Sequence, residues 1–133
     1  MTTFLFHFHS GLRWILVLAV LVGLVRFLML WIQEHEYTTF DSTLATVITA
    51  LIDVQFLVGI VLFYLFSGGF SMLLRYRLEH AVTMLLVVLA AHISVRWKKR
   101  AGPVRARNSF VTLLVIILLI FVGVARLPQG WHF

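Results

Sequence analysis

Arg75-Tyr-Arg-Leu-Glu-His80 is followed by Ala81-Val-Thr-Met-Leu-Leu-Val-Val-Leu-Ala-Ala-His92-Ile-Ser-Val95, a run almost free of polarity. A charged head of six residues thus gives way abruptly to a stretch close to the ~20 residues that cross ~30 Å of hydrocarbon as a helix. Three other stretches have the same character: from Phe4 or Leu12 to Ile32, from Thr43 to Phe66, and from Ser109 to Leu127. With the third read as Leu78 to Trp97, the chain presents four apolar segments. In lipid each segment has to satisfy its own backbone hydrogen bonds, so four helices follow, and four strands are too few for a closed barrel. The fold expected is an all-α, four-helix transmembrane bundle of up-down-up-down topology, forming a single membrane domain over residues 1–133.

Composition agrees. Of 133 residues 62% are apolar and 12% charged, with a mean hydropathy of +1.03, far from the composition of soluble domains. The absence of cysteine rules out disulfides, thiolate metal sites and cysteine nucleophiles. A net charge of +6 points to cytoplasmic loops and anionic headgroups, not to nucleic acid. The start lacks the basic region and small-residue cleavage site of a secretory signal and is read as the head of the first helix.

The connections are short. Gln33 to Ser42 is acidic, with Glu34, Glu36 and Asp41, and Ser67-Gly-Gly69 breaks the chain before Phe70 to Arg77, read as a short amphipathic turn at the interface. Arg96 to Asn108 carries Arg96, Lys98, Lys99, Arg100, Arg105 and Arg107, punctuated by Gly102-Pro103. That concentration places the 96–108 loop in the cytoplasm and both termini outside, in a multi-pass arrangement.

Helices one and three then run in the same direction on diagonal corners of the bundle, and His9 and His80 enter the membrane at the same height. Two neutral imidazoles approaching from facing helices suit a six-coordinate b-type haem, whose filled coordination favours electron transfer over oxygen binding. Arg13 lies one turn from His9, and Arg75, Arg77 and Arg126 fall at the outer rim, where propionate carboxylates need guanidinium partners. Gly59 offers a place for a flat macrocycle to approach a backbone. His7 competes with His9, but the two point ~200° apart on a helix and only one can face a given partner. Interfacial anchoring alone is the plainer use of such residues. His132, near the end of the chain, is expected in solvent.

Arg26, Asp53 and His92 fall at or inside the midplane. A charge there is costly unless protonated or paired, and Arg26 could reach toward Asp53. Such an inner polar cluster could serve a proton path or the head of a quinone pocket, though a bond that fixes helix packing is the simpler use. His92 is rotated ~120° from His80 and has no histidine at its depth, so a second bis-histidine haem is not expected. No glycine-rich phosphate loop, His-Glu-x-x-His, carboxylate pair or Ser/His/Asp set is present to support hydrolytic or nucleotide-using chemistry.

Three short motifs, His9-Ser-Gly-Leu-Arg-Trp14, Val54-Gln-Phe-Leu-Val-Gly59 and Leu78-Glu-His80, resemble a group of small bacterial four-helix membrane proteins labelled cytochrome b-like. The resemblance covers the first three helices and implies haem at His9 and His80 in the bacterial inner membrane. The chain departs from the group at Asp53, where the pattern has a histidine two residues before the helix-two glutamine. The expected function is that of a b-haem electron-transfer protein or the cytochrome-like subunit of a larger membrane redox complex, with other membrane subunits as partners. The alternatives are a haem-free accessory subunit of a respiratory or photosynthetic complex that binds lipid or pigment, and a small proton channel or transporter using Asp53 and His92.

Overall fold

A computed structural model describes residues 2–66, 72–93 and 102–127, with side chains from Thr3 to Leu65, from Arg75 to Ile93 and from Gly102 to Leu127. Four helices account for nearly all of it: α1 Thr2–Gln33, α2 Thr39–Phe66, α3 Met72–Ile93 and α4 Gly102–Ala125. Each is long and apolar enough to cross a membrane.

The helices outrun their apolar stretches. α4 begins at Gly102 rather than Ser109, and α3 at Met72 rather than Leu78. Hydropathy registers only the part of a helix that lies in hydrocarbon. A helix with satisfied backbone bonds continues through the headgroup layer, where Arg105 and Arg107 are at no disadvantage, and Pro103 in a first turn gives up no hydrogen bond. The expected amphipathic turn over 70–77 is therefore α3 itself from Met72 onward. Ser67-Gly-Gly69, Arg96, Lys98, Lys99, Arg100 and His132 lie outside the described residues.

α1 packs against α2 and α4, and α3 packs against the same two, leaving α1 and α3 on one diagonal and α2 and α4 on the other. The core is a seam with alternating steps of three and four residues. On α1 it runs through Leu16, Val20, Gly23, Phe27 and Leu30, and on α4 through Ala106, Ser109, Leu113, Ile116 and Ile120. Ile48 and Ile52 of α2 and Val87 and Ala91 of α3 close it. Such spacing keeps one stripe of each helix facing its neighbours in a near-parallel bundle. At Gly23 a Cβ would stand 2.7 Å from Leu113 Cδ1 and 2.9 Å from Ile48 Cδ1, so glycine sets the approach of three helices there.

The outward faces decide the solvent. Ile15, Leu18, Val22 and Val25 on α1, and Leu114, Leu118, Phe121 and Val122 on α4, are all exposed. Water would penalise apolar patches this extensive, whereas acyl chains accept them. The protein is a multi-pass membrane protein whose contact with the bilayer is this apolar sheath.

The turn between α1 and α2 is locally specified. Glu34 adopts a left-handed φ of 53°, and the His35 amide donates to the Leu30 carbonyl at 3.1 Å, the six-to-one bond that ends helices of this kind. Thr38 opens α2, and Asp41 reaches back to its amide (2.8 Å) and hydroxyl (2.9 Å), a capping box in which aspartate takes the glutamate position. Tyr37 stacks parallel to Phe27 at 5.8 Å, and the Arg105 guanidinium of α4 lies over the Tyr37 ring, 3.9 Å from its centre. Burial pushes the Tyr37 phenol up despite that nearby positive charge, so it stays a neutral donor.

Candidate functional site

At the opposite end of the bundle, near the heads of α1 and α3, the interior opens into a cavity of about 350 Å³. His9, Arg13, Gln55, Gly59, Arg77 and His80 supply its polar and glycine lining, among apolar residues from all four helices. The two imidazoles face each other from the diagonal helices. Their ring centres are 6.5 Å apart and their planes stand at 88°.

Each histidine is positioned by a different neighbour. On the α1 side, Gln55 Nε2 of α2 donates to the His9 carbonyl at 2.9 Å. One turn along α2, a Cβ on Gly59 would stand 3.1 Å from His9 Cε1, so the missing side chain is what admits the ring. Gly59 therefore receives the imidazole as well as lining the cavity. On the α3 side, His80 Nδ1 lies 2.9 Å from the Gly123 carbonyl of α4. The oxygen can only accept, so Nδ1 carries the proton and Nε2 keeps the lone pair. Gly123 permits this approach, because a Cβ there would come within 3.1 Å of Thr83 Cγ2 and collide with the Met84 methyl. His7 is exposed and packs edge-on to Phe6, which leaves His9 as the α1 histidine of the cavity.

The arginines divide into two groups. Arg13, buried, and Arg77, half-buried, line the cavity. Arg75 and Arg126 are engaged at the rim by Glu79, at 3.4 Å and 3.1 Å respectively, and the second pair ties α3 to the end of α4. Arg13 and Arg77 are thus the guanidinium groups of the cavity wall, whereas Arg75 and Arg126 meet Glu79 at its rim.

Among the described residues no three His, Cys, Asp or Glu side chains gather into a metal cage. Two opposed imidazoles are nevertheless what a metal already held in a macrocycle requires, since the ring supplies the remaining positions. On two residues of the cavity wall, His9 Nδ1 and Gln55 Oε1 are buried with no hydrogen-bond partner among the described residues. No family model, curated protein or solved structure matches the chain.

The inner polar residues form two pairs rather than one cluster. Arg26 bonds Asp41 (Nε to Oδ1, 2.6 Å), whose side chain is fully buried. Arg26 thus stands apart from Asp53, which bonds His92 Nε2 through both carboxylate oxygens, at 2.9 and 3.1 Å. The Asp53 and His92 side chains stay 38% and 51% exposed on the outer surface between α2 and α3, away from the cavity. Bonds of this kind in membranes contribute well under ~2 kcal/mol. Asp53→Asn, which keeps an acceptor for His92, is expected to change unfolding free energy in detergent by less than about 1 kcal/mol. A larger loss would make this pair a main support of the bundle.

Proposed function

We infer that the protein is a b-haem electron-transfer protein of the bacterial cytoplasmic membrane, or the cytochrome-like subunit of a larger membrane redox complex, with His9 and His80 as axial ligands. The observation that carries this reading is the pair of facing imidazoles. A metal–imidazole bond of about 2 Å on each side, plus roughly 1 Å from nitrogen to ring centre, gives about 6 Å between ring centres, against 6.5 Å observed. The cavity lies within the usual size range of ligand sites.

A haem held between His9 and His80 would supply one-electron exchange. The protein's own residues do the rest. His80 presents Nε2 because Gly123 holds Nδ1, and Gln55 and Gly59 seat His9. Arg13 and Arg77 offer guanidinium forks to carboxylates at the outer rim. Apolar walls from Leu16 to Val124 keep water away from the inner part of the site. With the basic 96–108 loop in the cytoplasm, the site lies toward the outer face.

The test is a reduced-minus-oxidised absorption spectrum of the purified protein beside His9→Ala and His80→Ala. A b-type band is expected in the wild type, and it should vanish or turn high-spin in each variant. A well-folded wild type that takes up no haem sinks the reading and leaves a haem-free accessory subunit.

A further inference from the structure

The two imidazoles are held unequally. The His80 ring is fixed in orientation and tautomer by the Gly123 carbonyl at 2.9 Å. Such a bond on the remote nitrogen raises the basicity of the ligating one, and partners of this type commonly matter 10- to 100-fold in metal affinity. His9 has no counterpart. Its Nδ1 is buried and has no hydrogen-bond partner among the described residues. What holds His9 acts on its backbone carbonyl, through Gln55, and on the ring only by the close approach of Gly59. Whenever His9 Nε2 ligates, Nδ1 must carry the proton, and a buried N–H without an acceptor works against that bond.

Resting on the haem reading above, we propose that His80 is the permanent ligand and His9 the exchangeable one, so that the His9 side of the cavity is a binding site for small neutral ligands of haem iron such as carbon monoxide or imidazole. The exchange is a plain substitution. The bond from His9 Nε2 to iron breaks, a bond from iron to the carbon of carbon monoxide or to an imidazole nitrogen forms, and no proton or electron is gained or lost.

Two measurements test it. In the haem-free protein, nitrogen-15 spectra of labelled histidine should show His80 as a single Nδ1–H tautomer and His9 as a mixture of both. In the haem-loaded protein, reduced wild type should bind carbon monoxide. His9→Gly should keep its haem and regain a low-spin spectrum with added imidazole, and His80→Gly should retain haem about 10- to 100-fold less well than His9→Gly. A tautomer mixture at His80, retention favouring His80→Gly, or a reduced wild type that refuses saturating carbon monoxide overturns the proposal. Should His80→Gly fail to fold, the wild-type spectra and carbon monoxide binding still decide. A wild type that takes up no haem fails the functional reading and the exchange together, while the nitrogen-15 spectra still report separately on the inequality of the rings.

Discussion

Asp41→Ala is expected to destabilise the bundle by about 3 kcal/mol. The Asp41 side chain is fully buried and accepts from four donors: Arg26 Nε at 2.6 Å, Arg26 Nη2 at 3.4 Å, and the Thr38 amide and hydroxyl at 2.8 and 2.9 Å. Removing the carboxylate strands the Arg26 guanidinium at the edge of the hydrocarbon and empties the cap of α2 in one step. Rupture of a buried pair costs about 3–5 kcal/mol, and a lost cap about 1 kcal/mol. The lower end applies because the Arg26 side chain remains 36% exposed and can turn toward the headgroups. Unfolding by denaturant in detergent micelles, followed by far-ultraviolet circular dichroism, measures the loss. A value below about 1 kcal/mol would mean that Arg26 finds a substitute partner without difficulty.

Gly123→Leu is expected to act on stability and, on the proposed haem reading, on haem retention together. Even the first carbon of a side chain there meets Thr83 Cγ2 at 3.1 Å and the Met84 methyl more closely still. Met84 can swing its end away, but Thr83 is short and β-branched, so α4 must retreat from α3. Overpacking of this kind costs about 1–3 kcal/mol. The retreat also draws the Gly123 carbonyl away from His80 Nδ1, and haem retention should fall about 10- to 100-fold. Gly11→Ala is the control, because nothing stands within 4 Å of a Cβ at that position; it should be neutral or slightly stabilising. Equal haem retention in Gly123→Leu and wild type would remove the carbonyl from any role in holding His80.

Much of this was legible in the sequence, for identifiable reasons. Apolar length determines the number of helices, and short connections determine their antiparallel order. Those two together put His9 and His80 on one diagonal at one height without any knowledge of packing. Helix ends were less legible, because hydropathy falls at the headgroups while the backbone ladder of α4 continues back to Gly102. The partner of Arg26 was misassigned by depth. Asp53 looked near enough along the membrane normal, but depth carries no information about direction around a helix. A local signal did exist, since Thr38-Thr-Phe-Asp41 before an apolar run has the form of a capping box that buries its carboxylate at a helix head. Gln55 stood in a motif without a role, and Gly123 stood in an apolar run without a motif. Both act through carbonyl groups, which the sequence does not distinguish from one residue to the next.

The bond from His80 to Gly123 spans 43 positions of chain, and that separation has a consequence for biogenesis. As a nascent chain is delivered to the bilayer in order, α1, α2 and α3 arrive before α4. Both imidazoles are then already in the membrane, but the ring of His80 remains free to rotate and to exchange tautomers. The final span stops that motion. If the site holds haem as proposed, competence to capture it matures with the last helix inserted, and an incomplete chain is a weak competitor for a scarce cofactor.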